Sequence, residues 1–322
     1  MTNEAWRLAR ERAARQDWLI TAEQAYALGV LPSEMASRLR SRECHALLRG
    51  VYLCDPDLVS EPPARMLWRA ALLAHGDDAC LVAGSAARAL GLQGSAMTEQ
   101  VIEIGRPDGR SRSKRWVDAP GPFGHDAMPE VVVRQFAVPV EQTTRVDGLA
   151  VREAFYTVVD AALDLDRASA LCVLDSALQL TLLSPEQLMA AVALAKGRPG
   201  VQRLRKLAEL ADGRAESPLE SRIRLICIDG SVPPDDLQYP VYDDRRRRLI
   251  AVGDLGWHRG RARPLLAEAD GKEPHERPAA VFRDRGRGNL LVVERCDTVR
   301  FVWADSFRPT YVLYVVRSAL AA

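Results

Sequence analysis

The chain has 322 residues, of which 48% are hydrophobic and 27% charged, so it has the composition of a folded globular protein with two or three domains. No apolar stretch approaches about 18 residues and the charged amino terminus lacks a signal core, so we expect a cytoplasmic protein without a membrane span. The six cysteines form no CxxC pair, which argues against zinc sites and structural disulfides. A net charge of +1 excludes strong bulk attraction to nucleic acid and leaves only a local basic surface as an indication of it.

Residues 1 to 60 predict a small DNA-binding domain. Thr21, with Gln24 three residues later, is typical of a helix amino terminus, and Gly29 ends that short helix. A second helix is expected to start at Ser33, and residues 46 to 53 follow as strand, turn and strand. Two helices and a hairpin in this order predict a winged helix-turn-helix, whose second helix enters the major groove of DNA.

The basic residues of that second helix are the candidate DNA contacts. Arg38, Arg40 and Arg42 are expected to point outward together with Ser37 and Ser41. A short helix with several arginines is equally typical of a solvated surface, and the local pattern does not decide between the two.

Residues 61 to 212 predict a mixed α/β middle domain that carries no catalytic group. Strands are expected at residues 101 to 104 and 131 to 136, and several helices follow from residue 154 onward. The loop from residue 106 to 115 has five basic residues and one acid, which favours a solvated hairpin tip over a phosphate contact. We assign this domain a scaffold role, with a homodimer or partner surface as a possible further role.

Residues 213 to 322 predict a domain with the order αβββαβα. Ser217 and the proline after it open a helix. Strands are expected over residues 237–242, 249–254, 265–270 and 299–303, and further helices over residues 279–295 and 310–320. That order is typical of a restriction-endonuclease-like core. The fold class predicted for the chain is α+β multidomain, with an N-terminal winged helix-turn-helix, a mixed α/β middle region and a C-terminal restriction-endonuclease-like αβββαβ core.

The candidate chemistry lies between Asp254 and Lys272. Alternation along a strand would point Glu268, Asp270 and Lys272 the same way, close to the acid that ends the previous strand. Such a cluster is costly in a sheet unless water, a metal or a partner satisfies it. The alternative is an edge strand whose charges prevent aggregation, but the glycine at position 271 and the nearby Asp254 fit that interpretation poorly.

We interpret this cluster as a site for phosphodiester hydrolysis that depends on Mg²⁺ or Mn²⁺. Asp254 would bind the metal together with Asp270 or Glu268, and the sequence leaves open which of these two is the principal ligand. Lys272 would orient or deprotonate the attacking water. Gln238, on the first predicted strand, is given no role beyond strand pairing.

Residues outside the cluster complete the predicted site. Glu220 would reach in from the preceding helix as a fourth acid, or it caps that helix with Ser217, and the two roles are compatible. His275 would assist the water or touch phosphate, although a lone loop histidine is more often structural. Arg283 and Arg287, on the following helix, would bind the scissile DNA strand.

Two resemblances extend this interpretation. The first is carried by short stretches beginning at Ala215, Gln238, Gly253, Glu268 and Asp284. Through them, residues 214 to 305 resemble the nuclease-like domain of unknown function related to very-short-patch-repair endonucleases, within the PD-(D/E)xK superfamily. This resemblance implies metal-binding or catalytic acids at Glu220, Asp254, Glu268 and Asp270.

The second resemblance is carried by Arg49-Gly-Val-Tyr52 and by the stretch from Ser85 to Leu92. Through these, residues 20 to 92 resemble the amino-terminal module of AbiEi-type antitoxins from type IV toxin–antitoxin systems. This implies a winged helix that binds operator DNA, with a cognate toxin as a further partner. The sequence thus leaves two hypotheses, a DNA endonuclease in phage or mobile-element defence and a non-catalytic antitoxin that represses its own transcription. Cleavage of RNA instead of DNA also stays open.

Overall fold

The computed structural model describes residues 2–55, 63–94, 100–109, 116–117, 128–242, 248–258, 263–270 and 296–321. The chain forms two compact units, and the division falls inside one helix, between Asp160 and Ala161. Residues 92 to 94 belong to the second unit. Within the described ranges, no helix combines the length and the apolar character needed to cross a membrane.

The first unit begins with three helices and a small antiparallel sheet. These elements are α1 (Thr2–Ala14), β1 (Leu19–Thr21), α2 (Ala22–Ala27), α3 (Pro32–Arg40), β2 (Cys44–Leu48) and β3 (Val51–Cys54). The strand order is β1-β3-β2, so β1 pairs with the predicted hairpin. The predicted capping box between Thr21 and Gln24 is confirmed. The expected start of the next helix at Ser33 is wrong by one residue, because Pro32, whose fixed φ suits a first helical position, begins it.

A five-stranded mixed sheet completes the first unit. Its elements are α4 (Ala64–His75), β4 (Cys80–Leu81), α5 (Ala83–Ala89), β5 (Val101–Arg106), β6 (Glu130–Ala137), β7 (Thr143–Val146) and β8 (Leu149–Arg152), with the strand order β6-β5-β4-β8-β7. Leu19, Leu48 and Leu53 of the small sheet share one buried core with Met66 of α4 and Ile104 of β5. Because this core is continuous, the first compact unit has no boundary near residue 60, where the sequence analysis placed one.

The second unit contains the rest of α6 (Ala154–Asp164), further helices and a second sheet. Its remaining elements are α7 (Arg167–Gln179), α8 (Pro185–Leu194), α9 (Val201–Ala208), α10 (Pro218–Asp229), β9 (Asp236–Tyr242), β10 (Leu249–Trp257), β11 (Leu265–Asp270), β12 (Asp297–Val302) and α11 (Pro309–Ala321). The serine caps predicted at Ser184 and Ser217 are confirmed. The helix predicted over residues 279 to 295 lies outside the described residues.

The sheet of the second unit has the strand order β12-β11-β10-β9. Strand β12 runs parallel to β11, and the other neighbours are antiparallel. Helix α10 covers one side of this sheet, where Leu219 and Ile223 pack with Leu255, Leu265 and the fully buried Phe301. The described part of the domain is therefore an α+β structure with the predicted strands in the predicted order.

A buried ion pair joins α10 to α7, a helix that the sequence analysis placed in the middle domain. The Arg224 guanidinium donates to the Asp175 carboxylate over 2.7 Å and to the Leu210 carbonyl over 2.6 Å. The backbone N–H of Asp212 donates to the other Asp175 oxygen over 2.8 Å. These contacts hold the loop before α10 against α7, so the second compact unit extends across the predicted boundary at residue 212.

Candidate acidic site

Glu220 lies in the first turn of α10 and is almost completely buried, with 5% of its surface exposed. Ser217 caps this helix by accepting the backbone N–H of Glu220 over 3.2 Å. The carboxylate of Glu220 accepts the backbone N–H of Glu216 over 2.9 Å and the side-chain amide of Gln238 over 3.1 Å. The Glu220 side chain therefore links the start of α10 to strand β9, as well as lying in a capped helix terminus.

The pKa of Glu220 is raised above the ordinary value of a glutamate. Burial is the main cause, and the negative charge of Asp254 adds to it, whereas hydrogen bonds from Glu216 and Ser217 act in the opposite direction. Like charges raise a carboxyl pKa because the two anions repel each other. The structure thus brings together Glu220 and Asp254, two acids that the sequence analysis assigned to one site.

Gln238 contributes an irregularity in strand β9. Its backbone φ of +51° lies in the left-handed region, which side chains larger than glycine rarely adopt. The neighbouring strand pairs, Leu237 with Leu255 and Tyr239 with Gly253, place Gln238 opposite Asp254. A strained residue that aims a side chain at a buried carboxylate is a feature typical of functional sites.

The irregularity also interrupts the alternation of side chains along both strands. Leu237 packs in the core under α10, yet Tyr239, two residues later, packs with Val241 on a different core cluster. In strand β10, Ala251 belongs to that second cluster and Leu255 to the first. A regular strand would keep each of these pairs on one face. The break falls at Gln238 and Asp254. At these two residues, the alternating side chains of each strand change from one face of the sheet to the other.

Asp254 connects this group to strand β11. Its carboxylate accepts the backbone N–H of Ala269 over 2.7 Å, and Ala269 is the residue between Glu268 and Asp270. The pairing of Leu255 with Ala267 brings Glu268 opposite Asp254 one step further along the ladder. Glu268 is buried, with 8% of its surface exposed. The structure therefore places Asp254 beside the backbone segment that carries Glu268 and Asp270.

Asp270 is the most exposed of the predicted acids, and it forms an ion pair with Arg300 of strand β12 at 3.6 Å. The parallel pairing of β11 with β12 sets Arg300 opposite Glu268. The sequence analysis overlooked Arg300, because nothing in a single sequence shows which strand β12 pairs with. Four other predicted site residues, Lys272, His275, Arg283 and Arg287, lie outside the described residues.

The acidic group around Asp254 offers ligands of the type that a divalent cation binds. Within the described ranges, no three histidine, cysteine or acidic side chains are grouped closely enough to hold a metal ion by themselves. Mg²⁺ does not require such a cage, since it is usually bound by one or two carboxylates together with waters and substrate phosphate. The carboxylates of Asp254, Glu268 and Asp270 fit this chemistry in type and charge.

In the first unit, Arg38 does not have the predicted orientation. Its guanidinium lies 4.3 Å from the ring centre of Trp6, forms an ion pair with Glu34 at 2.9 Å and pairs with Glu43. Only 18% of the Arg38 side chain is exposed. The expectation that Arg38 points outward is therefore wrong, because packing on Trp6 and two acids occupies its side chain.

Arg40 and Arg42 are exposed, as are Ser37 and Ser41. Arg40 ends α3, and Arg42 follows with a left-handed φ of +62° in the turn that leads to β2. The outward position predicted for these four residues is confirmed, and their contact with DNA stays a prediction.

Comparisons with known proteins place few limits on function. The chain is 37% identical over 143 residues to the uncharacterized proteins MT2308 and Rv2248 of two Mycobacterium tuberculosis strains. The match covers 44% of this chain and 51% of each relative, so the chain spans about half the length of these curated relatives. No protein-family model matches the chain, and no solved structure matches it.

Proposed function

We propose that the second unit hydrolyses phosphodiester bonds of DNA at the acidic group around Asp254, and that the first unit binds the DNA. This proposal rests on the buried Glu220. Its carboxylate accepts a hydrogen bond from the amide of the strained Gln238, and the negative charge of Asp254 raises its pKa. A buried acid that a second, partly buried acid repels destabilises a fold, so the convergence of Glu220 and Asp254 from a helix and a strand favours a role in binding or catalysis.

The residues divide the chemical work between them. Asp254 with Glu268 or Asp270 would hold Mg²⁺ or Mn²⁺, which when bound polarises a phosphoryl oxygen and lowers the pKa of water. Glu220, whose pKa is raised, suits the exchange of a proton with water. Arg300 brings a guanidinium to the edge of the acidic group, where it would contact phosphate. Lys272 keeps its proposed role in orienting the water.

The first unit supports the DNA-binding half of the proposal. Helices α2 and α3 followed by the β2–β3 hairpin, with β1 completing the sheet, are consistent with a winged helix. In such a module the second helix enters the major groove. Arg40 and Arg42 are the exposed cations at the end of α3, and we propose that they contact phosphate or base edges.

The test is cleavage of plasmid and phage DNA in Mg²⁺ or Mn²⁺ by the wild type, Asp254→Asn and Glu268→Gln. We expect both substitutions to reduce the cleavage rate at least about 100-fold, because each removes a charge needed at the metal or the water. Glu186→Gln, which changes a fully exposed acid on α8, is the matched control and keeps wild-type activity. Equal cleavage by all four proteins would assign any nuclease activity to a contaminant and refute the site.

A second candidate is a DNA-binding antitoxin that represses its own operator and whose C-terminal domain does not cut. One observation favours it: the Asp254 carboxylate already accepts the N–H of Ala269, a use that is purely structural. Specific binding to the upstream DNA, lost in Arg40→Ala/Arg42→Ala, together with no cleavage of DNA or RNA in either metal, would favour this candidate. Co-purification with a toxin encoded beside it would add a partner.

A further inference from the structure

Four exposed aromatic side chains line one segment at the carboxyl end of the second unit. Trp303 and Phe307 lie in the 3-10 helix Trp303–Phe307, and Tyr311 and Tyr314 lie in α11. We call these four residues the aromatic surface. Their exposed fractions run from 37% for Trp303 to 70% for Tyr314, the largest of any described large hydrophobic side chain.

Most of the exposed aromatic side chains among the described residues lie in this one segment. Of the six exposed tyrosine, tryptophan and phenylalanine side chains among the described residues, four belong to the aromatic surface. Tyr311 and Tyr314 are three residues apart on one helix and therefore lie on the same face. On the inner face of that helix, Val312 and Val316 are completely buried. The fold thus already uses one face of α11, and the rings extend from the other.

Arginines contact three of the four rings of the aromatic surface. The guanidinium of Arg222, which is itself buried, lies 4.8 Å from the ring centre of Phe307 and 5.6 Å from that of Trp303. These two rings meet edge to face at 5.8 Å. Arg308 lies 4.6 Å from the ring centre of Tyr311. Rings fixed by such contacts lose little freedom when a ligand stacks on them.

The charge around the aromatic surface is positive. Residues 303 to 321 contain Arg308 and Arg317 against the single acid Asp305, and Arg222 adds a third guanidinium beside two of the rings. Asp305 accepts the backbone N–H of Val302 over 3.0 Å and pairs with Arg308 at 3.8 Å, so much of its charge is used within the segment. Exposed rings beside arginines fit a ligand that offers flat bases and negative phosphates together.

We propose that the aromatic surface binds single-stranded nucleic acid, with bases stacked on Tyr311 and Tyr314 and the phosphate backbone beside Arg308. A docked apolar protein segment would favour exposed aliphatic side chains, and Val302 is the one large aliphatic residue exposed in the described residues from 299 to 321. This surface shares no residue with the acidic site, so it goes beyond the proposed hydrolysis and fails or succeeds independently of it.

The test measures binding of fluorescein-labelled dT20 to the full chain by fluorescence anisotropy, with EDTA present to prevent cleavage. Tyr311→Ala/Tyr314→Ala is expected to weaken binding by about fivefold or more for each ring, and roughly 25-fold in total. Tyr311→Phe/Tyr314→Phe keeps both rings and is expected to bind within about twofold of the wild type. Leu194→Ala removes an exposed apolar side chain on α8 and serves as the control outside the aromatic surface. Circular dichroism melts of each variant establish that it folds.

Two outcomes would overturn the proposal. In the first, folded Tyr311→Ala/Tyr314→Ala binds dT20 as tightly as the wild type. In the second, sedimentation shows a wild-type dimer that this variant converts to monomer, which would assign the surface to a second copy of the chain. Asp254→Asn distinguishes this proposal from the previous one, since it should lose DNA cleavage and keep dT20 binding.

Discussion

Asp175 and Glu220 are both buried carboxylates of the second unit, and their surroundings differ in one respect. Asp175 receives a guanidinium from Arg224 at 2.7 Å, so its negative charge faces a positive one. Glu220 receives two neutral donors, the side-chain amide of Gln238 at 3.1 Å and the backbone N–H of Glu216 at 2.9 Å, and the like charges of Asp254 and Glu216 raise its pKa further. Burial raises the pKa of both carboxyls.

The comparison distinguishes Asp175, whose buried charge helps to hold the fold together, from Glu220, whose charge contributes less to stability. Asp175, on α7, accepts hydrogen bonds from Arg224 of α10 and from the backbone N–H of Asp212, so its removal leaves these donors unsatisfied. Glu220 gains less from its partners, and its ionised form is opposed by Asp254. A buried acid whose charge the fold does not compensate is the stronger candidate for chemistry.

The largest expected effect comes from the matched substitutions Asp175→Asn and Glu220→Gln, each of which replaces a carboxylate by its amide. Asp175→Asn leaves the Arg224 guanidinium buried and unpaired, and we expect it to lower the free energy of unfolding by about 3–5 kcal/mol. Glu220→Gln removes a charge that Asp254 repels, so its stability at neutral pH should stay within about 1 kcal/mol of the wild type. Urea denaturation followed by circular dichroism measures both.

The double variant Asp175→Leu/Arg224→Met is the control for this pair. Replacing both charges by apolar side chains should restore most of the lost stability, because no buried charge remains alone. An equal loss of stability in Asp175→Asn and Glu220→Gln would contradict the comparison, since both acids would then be structural.

The comparison also predicts a dependence on pH. The folded pKa of Glu220 is raised, so the folded state binds more protons than the unfolded state in the window between the ordinary glutamate pKa and the raised one. Stability from this group is present below that window and is lost as pH rises through it. Glu220→Gln lacks this loss, so its stability relative to the wild type should increase across the window and level off above it. Denaturation midpoints of the two proteins measured from about pH 4 to 8 give this difference directly. A difference that does not change with pH would mean that Asp254 and burial leave the Glu220 pKa unshifted.

Local signals in the sequence predicted much of the fold. The Thr21 capping box, the serine–proline helix starts and the four strands of the last domain all depend on residues close in the chain, and the structure confirms them. The division into compact units was not predictable in the same way. It depends on the contact of Asp175 with Arg224 and on the shared core of Leu48 and Met66, which join residues far apart in the chain.

The site was predictable to the same extent and for the same reason. Asp254 and Glu268 were chosen from their spacing, and the ladder between β10 and β11 brings them opposite each other. Gln238 was given no role beyond strand pairing, because a left-handed φ in a strand leaves no signal in residue type when the side chain is not glycine. The outward position expected of Arg38 failed because Trp6, on a helix that the sequence analysis did not predict, lies under it.

The smallest expected effect concerns the backbone of Gln238. Glycine adopts a φ of +51° without strain, whereas alanine retains the clash of its Cβ with the neighbouring backbone. Both Gln238→Gly and Gln238→Ala remove the amide that donates to Glu220, so they affect the acidic site equally.

Gln238→Gly should therefore be more stable than Gln238→Ala by about 0.5–1 kcal/mol, after allowance for the greater freedom of glycine in the unfolded chain. If the amide also positions Glu220, both variants should lose cleavage to a similar degree despite this difference in stability. Urea denaturation and the cleavage assay on the same two proteins separate the effect of backbone strain on stability from the effect of the lost amide on cleavage. Cleavage that follows stability, with the glycine variant active and the alanine variant inactive, would assign to Gln238 a role in backbone shape alone. Cleavage lost in both would assign the strain to the positioning of its amide. In that case the acidic site differs from the Asp175–Arg224 pair in two ways. Glu220 carries a charge that no cation of the described residues is shown to balance, and its position depends on the neutral amide of Gln238.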